Sequence, residues 1–230
     1  MNTEFVEAKI TKSISVFIRS VDADYSLREP VYAINWFNTR LLWLYNFYNL
    51  LGSMSVKKVG GKPIFKGRVK TVLHGEEHHR RDVLLLVNYP AIENFRQMLE
   101  SIYFQLVSVL RMLAVKDFTF GFSKPTTKIS GFSAAKENKI YAIHHYQGEI
   151  EINESIEKII ENSGVSIFYS GSITSLLFSG DEQVPCLMDS MILLEADTED
   201  QLRKIIADKR YMDIVEQSRN SFIAILSRVF

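Results

Sequence analysis

Two stretches, VYAINWF at residues 31–37 and IYAIHHY at residues 140–146, decide how this chain is read. Each alternates side chains between two faces, as a strand does, so Tyr32, Ile34 and Trp36 lie opposite Ala33, Asn35 and Phe37. Both contain Tyr-Ala-Ile, at 32–34 and 141–143, which is 109 residues apart. Two further anchors keep nearly that spacing. Gly61-Lys62-Pro63-Ile64-Phe65 answers to Gly164-Val165-Ser166-Ile167-Phe168 at 103, and Tyr103 and Arg111 answer to Tyr211 and Arg219 at 108. The chain therefore reads as one unit written twice, with a shorter segment before Gly164 and a longer hairpin after it.

Working outward, Asn38-Thr39 predicts an N-cap for a helix whose Leu41, Leu44, Tyr45, Tyr48 and Leu51 share one face, stopped by Gly60-Gly61. Pro63 to His74 and Arg81 to Tyr89 predict two strands around a polar turn. Pro90 opens a second helix that runs through Leu113 with a break near Ser101, and Phe118, Phe120 and Phe122 alternate in a closing strand. The second copy repeats the order: strand 140–146, helix 153–162, strands 165–178 and 187–196, a helix capped by Thr198, and a last strand near Phe230. The expected fold is α+β, two ferredoxin-like βαββαβ repeats over 31–123 and 139–230, joined by a connector at 124–138 and preceded by an extension at 1–30 in which Ser13 to Arg19 reads as an extra strand. A four-stranded sheet with helices on one face must cover the other, and two copies in one chain can do this for each other.

Composition narrows the function classes. Lys plus Arg and Asp plus Glu number 27 each, so no overall field draws the chain to nucleic acid or to an anionic membrane. Cys186 is the one cysteine, which rules out an intrachain disulfide and fits a reducing compartment, so the expected location is cytoplasmic. The N-terminus lacks the basic start of a signal peptide, and the most apolar run, Leu41 to Leu51, is about half of the roughly 20 residues a membrane span needs. Lys116 to Phe122 imitates the aromatic strand of an RNA-recognition motif, but Asp117 stands where that motif has Gly and would repel phosphate. No phosphate loop, nucleophile elbow, CxxC pair or HExxH occurs.

Gly60-Gly61 before a strand and hairpin, then Ser101 with Phe104 and Arg111 at set spacing, resembles the family called domain of unknown function 1330. The match covers about 31–123 well and 139–230 weakly, with Ser163-Gly164 for the Gly pair and Asp208 or Lys209 for the Ser. That resemblance implies the dimeric α+β barrel superfamily, in which two such units pair sheet to sheet. Its members include cofactor-free oxygenases, haem-degrading enzymes, isomerases and proteins without known activity, so it implies a fold and no single chemistry.

Candidate site residues follow from polar positions on apolar elements. Asn35 and His144 occupy the same slot of the two Tyr-Ala-Ile strands, 109 apart, where Val or Ile would pack better. They are expected either to be satisfied in the core or to border an internal cavity, with Tyr48, Arg81 and Arg111 as neighbours. His144 would be the candidate there for proton transfer near neutral pH. His144 and His145 point to opposite faces and cannot share one metal, and no carboxylate or cysteine stands at ligand spacing, so neither metal nor cofactor is expected. His74, His78 and His79 with Arg80 read as a solvated turn. The expected role is binding of a small apolar or aromatic molecule; the alternatives are a cofactor-independent monooxygenase or isomerase, and a structural protein without a ligand. The expected partners are that small molecule, no nucleic acid and no membrane. The chain is expected as a monomer, or as a dimer through helices or the first thirty residues.

Overall fold

The computed structural model of this protein describes residues 29–76, 80–126, 139–148, 152–179, 190–218 and 220–229. Along the chain these form β1 (Val31–Thr39), α1 (Leu42–Lys58), β2 (Lys62–His74), β3 (Val83–Tyr89), α2 (Ile92–Glu100), α3 (Ile102–Ala114) and β4 (Val115–Pro125). They continue as β5 (Ile140–Tyr146), α4 (Ile152–Ile160), β6 (Val165–Ser179), β7 (Ser190–Ala196), α5 (Glu199–Ile206), α6 (Lys209–Gln217) and β8 (Ser221–Arg228). The extension before residue 29, Cys186, His78, His79 and most of the 124–138 connector lie outside the described residues. No helix among the described residues is long and apolar enough to cross a membrane.

The eight strands close into one antiparallel barrel in the order β1-β3-β2-β8-β5-β7-β6-β4. Four strands from the first half, β4-β1-β3-β2, lie together, and so do β8-β5-β7-β6 from the second. The runs join at two seams: β2 pairs with β8 from Gly67↔Arg228 to His74↔Ile223, and β4 pairs with β6 from Thr119↔Ser179 to Pro125↔Gly171. An eight-stranded barrel is just wide enough for side chains to fill. Trp36, Phe65, Leu84, Leu86, Tyr141, Tyr169 and Phe222 fill this one. The outer faces pack under the helices in separate apolar clusters.

Local chemistry sets most element ends. Gly60 and Gly164 stop α1 and α4 with φ of 78° and 77°, a conformation that a Cβ disfavours. Ser101 breaks the long predicted helix in two, and its Oγ accepts from the Phe104 amide at 3.2 Å to cap α3. Asp208 does the same for α6 by accepting from the Arg210 amide at 2.9 Å. Thr198 and Gln201 form a capping box on α5. The expected cap at Asn38-Thr39 is different. Both residues remain in β1, and Leu41 takes the N-cap position with no side-chain bond while the Arg40 and Leu41 amides donate to the Ala114 carbonyl at 2.8 and 3.1 Å. Asn38 is used elsewhere: its Oδ1 accepts from the Asp82 amide at 2.8 Å, and its Nδ2 donates to the Asp117 carboxylate at 2.8 Å.

Both outer strands carry a bulge one step before an aromatic residue. The register of β2 on β3 skips Ile64, and that of β6 on β7 skips Phe168. A bulge turns consecutive side chains toward one face, so Ile64 and Phe65, and likewise Phe168 and Tyr169, enter the barrel core. Gly171 then leaves room at the β4–β6 seam, where an added Cβ would stand 2.4 Å from Ser123 Oγ and 2.6 Å from the Lys124 carbonyl oxygen. The Gly171→Ala variant should therefore lose about 1–3 kcal/mol by overpacking, read as a lower urea midpoint with unchanged m-value. An unchanged midpoint would show that the seam yields to a methyl group.

Candidate functional site

The pairing register places one row of side chains across the first half of the barrel: Phe120 on β4, Asn35 on β1, Leu85 on β3 and Lys66 on β2. Directly paired residues share a face, and Asn35 lies between Ala33 and Phe37, which pack outward under the helices. The row is thus a floor beneath α1 and α3. Leu85 keeps partial exposure although it stands on a strand flanked on both sides and covered by helices. Tyr48 and Phe118, partly exposed themselves, pack in the same apolar cluster.

Polar groups converge on this floor. Asn35 Nδ2 donates to the Leu85 carbonyl at 3.3 Å and to the Ala33 carbonyl at 3.5 Å, both long. The buried Lys66 sets its ammonium 4.7 Å from the ring centre of Tyr45. Burial, aided by the nearby Arg68 charge, lowers the Lys66 pKa to about 8. The Tyr45 hydroxyl is enclosed with no hydrogen-bond partner of acceptable geometry among the described residues. Its burial raises the Tyr45 pKa strongly, and Asn49 and Arg111 offset that only in part. Tyr89 is raised by burial as well, with Arg111 again opposing. The Arg111 guanidinium lies 3.7 Å over the ring of Phe118. Lys66 and Arg111 are thus two cations packed against aromatic rings on this side of the sheet. Among the described residues no group of three His, Cys, Asp or Glu side chains could hold a metal.

Of the residues singled out from sequence, Asn35, Tyr48 and Arg111 come to this floor. Arg81 does not. It is buried at the strand ends, where Nε donates to the Asp117 carbonyl at 3.1 Å and Nη1 to the Arg80 carbonyl at 3.0 Å. It thereby braces Asp117, whose φ of 51° is costly for a residue with a Cβ. Lys66 and Leu85 were not anticipated. Alternation along 63–74 sets Lys66 in line with Arg68 and Lys70, as an outward solvated row, and nothing in that pattern announces that α1 covers its head.

His144 occupies the matching row of the second half, Ile223–His144–Ile192–Ser170, in which every side chain is at most 1% exposed. Its Nδ1 is 3.0 Å from the Tyr211 hydroxyl and its Nε2 2.7 Å from Ser221 Oγ. Both ring nitrogens are used in tying β5 to α6 and β8. His145 faces inward instead, and its Nε2 accepts from Trp36 Nε1 at 2.9 Å at the barrel centre. Burial lowers both pKa values to about 3, with the neighbouring ring adding to the fall at His144.

A histidine with folded pKa near 3 and unfolded pKa near 6.5 stays neutral in the barrel while the unfolded chain takes up a proton. Its contribution to stability is complete above pH 6.5 and is lost as pH falls from there toward 3. The two groups together should cost about 2–3 kcal/mol between pH 7.5 and 5.5, since each tenfold change in a protonation equilibrium is worth about 1.4 kcal/mol. Urea unfolding at the two pH values should show this drop, and His145→Phe should remove about half of it. Equal pH slopes in wild type and variant would mean that His145 takes up its proton in the fold as readily as in the unfolded chain.

No protein-family model matches the sequence, and neither does any curated protein. Solved structures do resemble it. A "putative monooxygenase" from Fusobacterium nucleatum aligns at 12% identity with a TM-score of 0.51, covering 89% of this chain and 94% of that one. A "putative monooxygenase" from Lactobacillus acidophilus aligns at 10% identity with a TM-score of 0.50, covering 87% and 94%. A protein of unknown function from Rhodopseudomonas palustris aligns at 20% identity and a TM-score of 0.45 over 49% of this chain and 93% of its own. The likeness to the first two is one of fold, and this chain is a closed, eight-stranded antiparallel α+β barrel.

Proposed function

We propose that the chain is a tandem dimeric α+β barrel in which the first copy binds a small, flat, aromatic molecule between its sheet and α1/α3, and the second copy is its structural partner. Several observations support duplication. The four-strand order repeats, the bulges at Ile64 and Phe168 fall at matching strand positions, and Ser101 and Asp208 cap matching helices. Trp36 and His145, 109 residues apart like the Tyr-Ala-Ile anchors, meet each other at the centre, as equivalent residues do near a two-fold axis. The strand register puts Lys66 opposite Leu85 and Ser170 opposite Ile192, so the outer strands correspond at a spacing of 104.

The observation that carries the binding role is the contrast between the two rows. Ile223, His144, Ile192 and Ser170 are sealed, whereas Leu85 remains accessible beside Lys66 and Asn35. A cofactor-independent oxygenase is the second reading, favoured by a lysine poised near neutrality, where a general acid or base works best. It also agrees with the names given to the two proteins of like fold.

Fluorescence titration with 2-naphthol and 2-naphthoate should show one site per chain, lost in Leu85→Trp and kept in Ser170→Ala. Affinity for the carboxylate should fall about tenfold as pH rises through 8 and Lys66 loses its proton, since one charged hydrogen bond is worth roughly 1.5 kcal/mol. Absence of binding by either probe, or full binding by a folded Leu85→Trp variant, would sink the proposal. Oxygen uptake that depends on Lys66 would select the enzyme reading.

A further inference from the structure

The helices of the two halves differ on their outer sides. On α1, Trp43, Phe47, Leu50 and Met54 are 49–69% exposed and recur at spacings of four, three and four, which makes one continuous stripe. On α3, Ile102 and Leu106 are 75% and 68% exposed, with Leu113 further along the same face. The helices lie side by side, and the Tyr103 hydroxyl bridges them by donating to the Leu51 carbonyl at 3.3 Å. No charged residue occurs between Leu41 and Val56, and Arg111 is the only one in α3. The second half provides a control within the same chain. There the exposed positions of the matching helices, α4 from residue 155 onward and α6, are Ser155, Glu157, Lys158, Lys209, Arg210, Asp213, Glu216 and Gln217, and no large apolar side chain is exposed among them.

We propose that the α1/α3 face is a homodimer interface, occupied by the same face of a second copy of this chain. At about 200 Å² for a large side chain, the six named residues from Trp43 to Leu106 expose on the order of 800 Å². That is the area each partner buries in an interface of standard size, and it exceeds the apolar patches of ordinary monomers. A two-fold contact sets a surface against itself, so any charge near its centre would meet its like. This face carries none along α1 and is self-complementary on that account. A charged protein partner would find nothing to pair with, and an anionic lipid surface would find only Lys57 and Lys58 at one end.

Sedimentation equilibrium of the full chain between about 1 and 50 μM should show a dimer. The double variant Trp43→Glu with Leu106→Glu should sediment as a monomer across that range. Both side chains are mostly exposed in the single chain, so the variant should keep the far-UV spectrum and thermal transition of the wild type. A monomeric wild type overturns the proposal. It would assign the face to residues 1–28 if Lys9 or Lys12 crosslinks to Lys57 or Lys58, and to a membrane if the protein floats with phosphatidylcholine vesicles. A dimer that persists in the folded double variant overturns it too.

Discussion

The structure depends on closing two seams at once. Each four-stranded run ends in strands whose outer amides and carbonyls need partners, and an unpaired strand edge invites aggregation. Pairing β2 with β8 satisfies one edge of each run, and pairing β4 with β6 satisfies the other. Once both seams form, the inner faces have no exit, and their large side chains must fill the barrel. Trp36 meets His145, Phe65 packs edge-on against Tyr141 with ring centres 4.8 Å apart, and the Tyr169 hydroxyl donates to Ser123 Oγ at 2.7 Å across the β4–β6 seam. The bulges at Ile64 and Phe168 and the bare Cα of Gly171 are the local means by which strands curve enough to meet.

Closure fills the interior with side chains, and the layer between sheet and helices is where the two halves are packed differently. In the second half His144 spends both ring nitrogens on Tyr211 and Ser221, which binds the helix layer to the sheet and seals it. In the first half Asn35 makes only long bonds to backbone carbonyls, and Lys66 extends beneath α1 toward Tyr45. A lysine in that position is costly to charge, which is why its pKa falls, and a buried cation is retained where something offsets that cost. The Tyr45 ring, 4.7 Å from the ammonium, offsets part of it.

Much of the fold was legible because its signals are local. Strand alternation at 31–37 and 140–146, the glycines at 60 and 164, the break at Ser101 and the cap at Thr198 each follow from backbone geometry or from side-chain period over a few residues. The candidate site was legible only as a set of residues that the fold brings near one another. Asn35, Tyr48 and Arg111 could be named because polar groups on apolar elements need partners, but Arg81 carries the same signal and braces the Asp117 backbone instead. Lys66 was invisible because its burial depends on how α1 folds back over β2, which the side-chain period along the strand does not show.

The sequence by itself determined which residues share a face, since a period of two groups Asn35 with Ala33 and Phe37, and His144 with Ala142 and Tyr146. It could not determine which face turns inward, because both faces of these strands are apolar enough to be buried. Only closure decided that Trp36 and His145 enter the barrel while Asn35 and His144 face the helices. Only helix packing decided that one of those two polar positions is tied by hydrogen bonds to the helix layer and the other is buried with long bonds to backbone carbonyls.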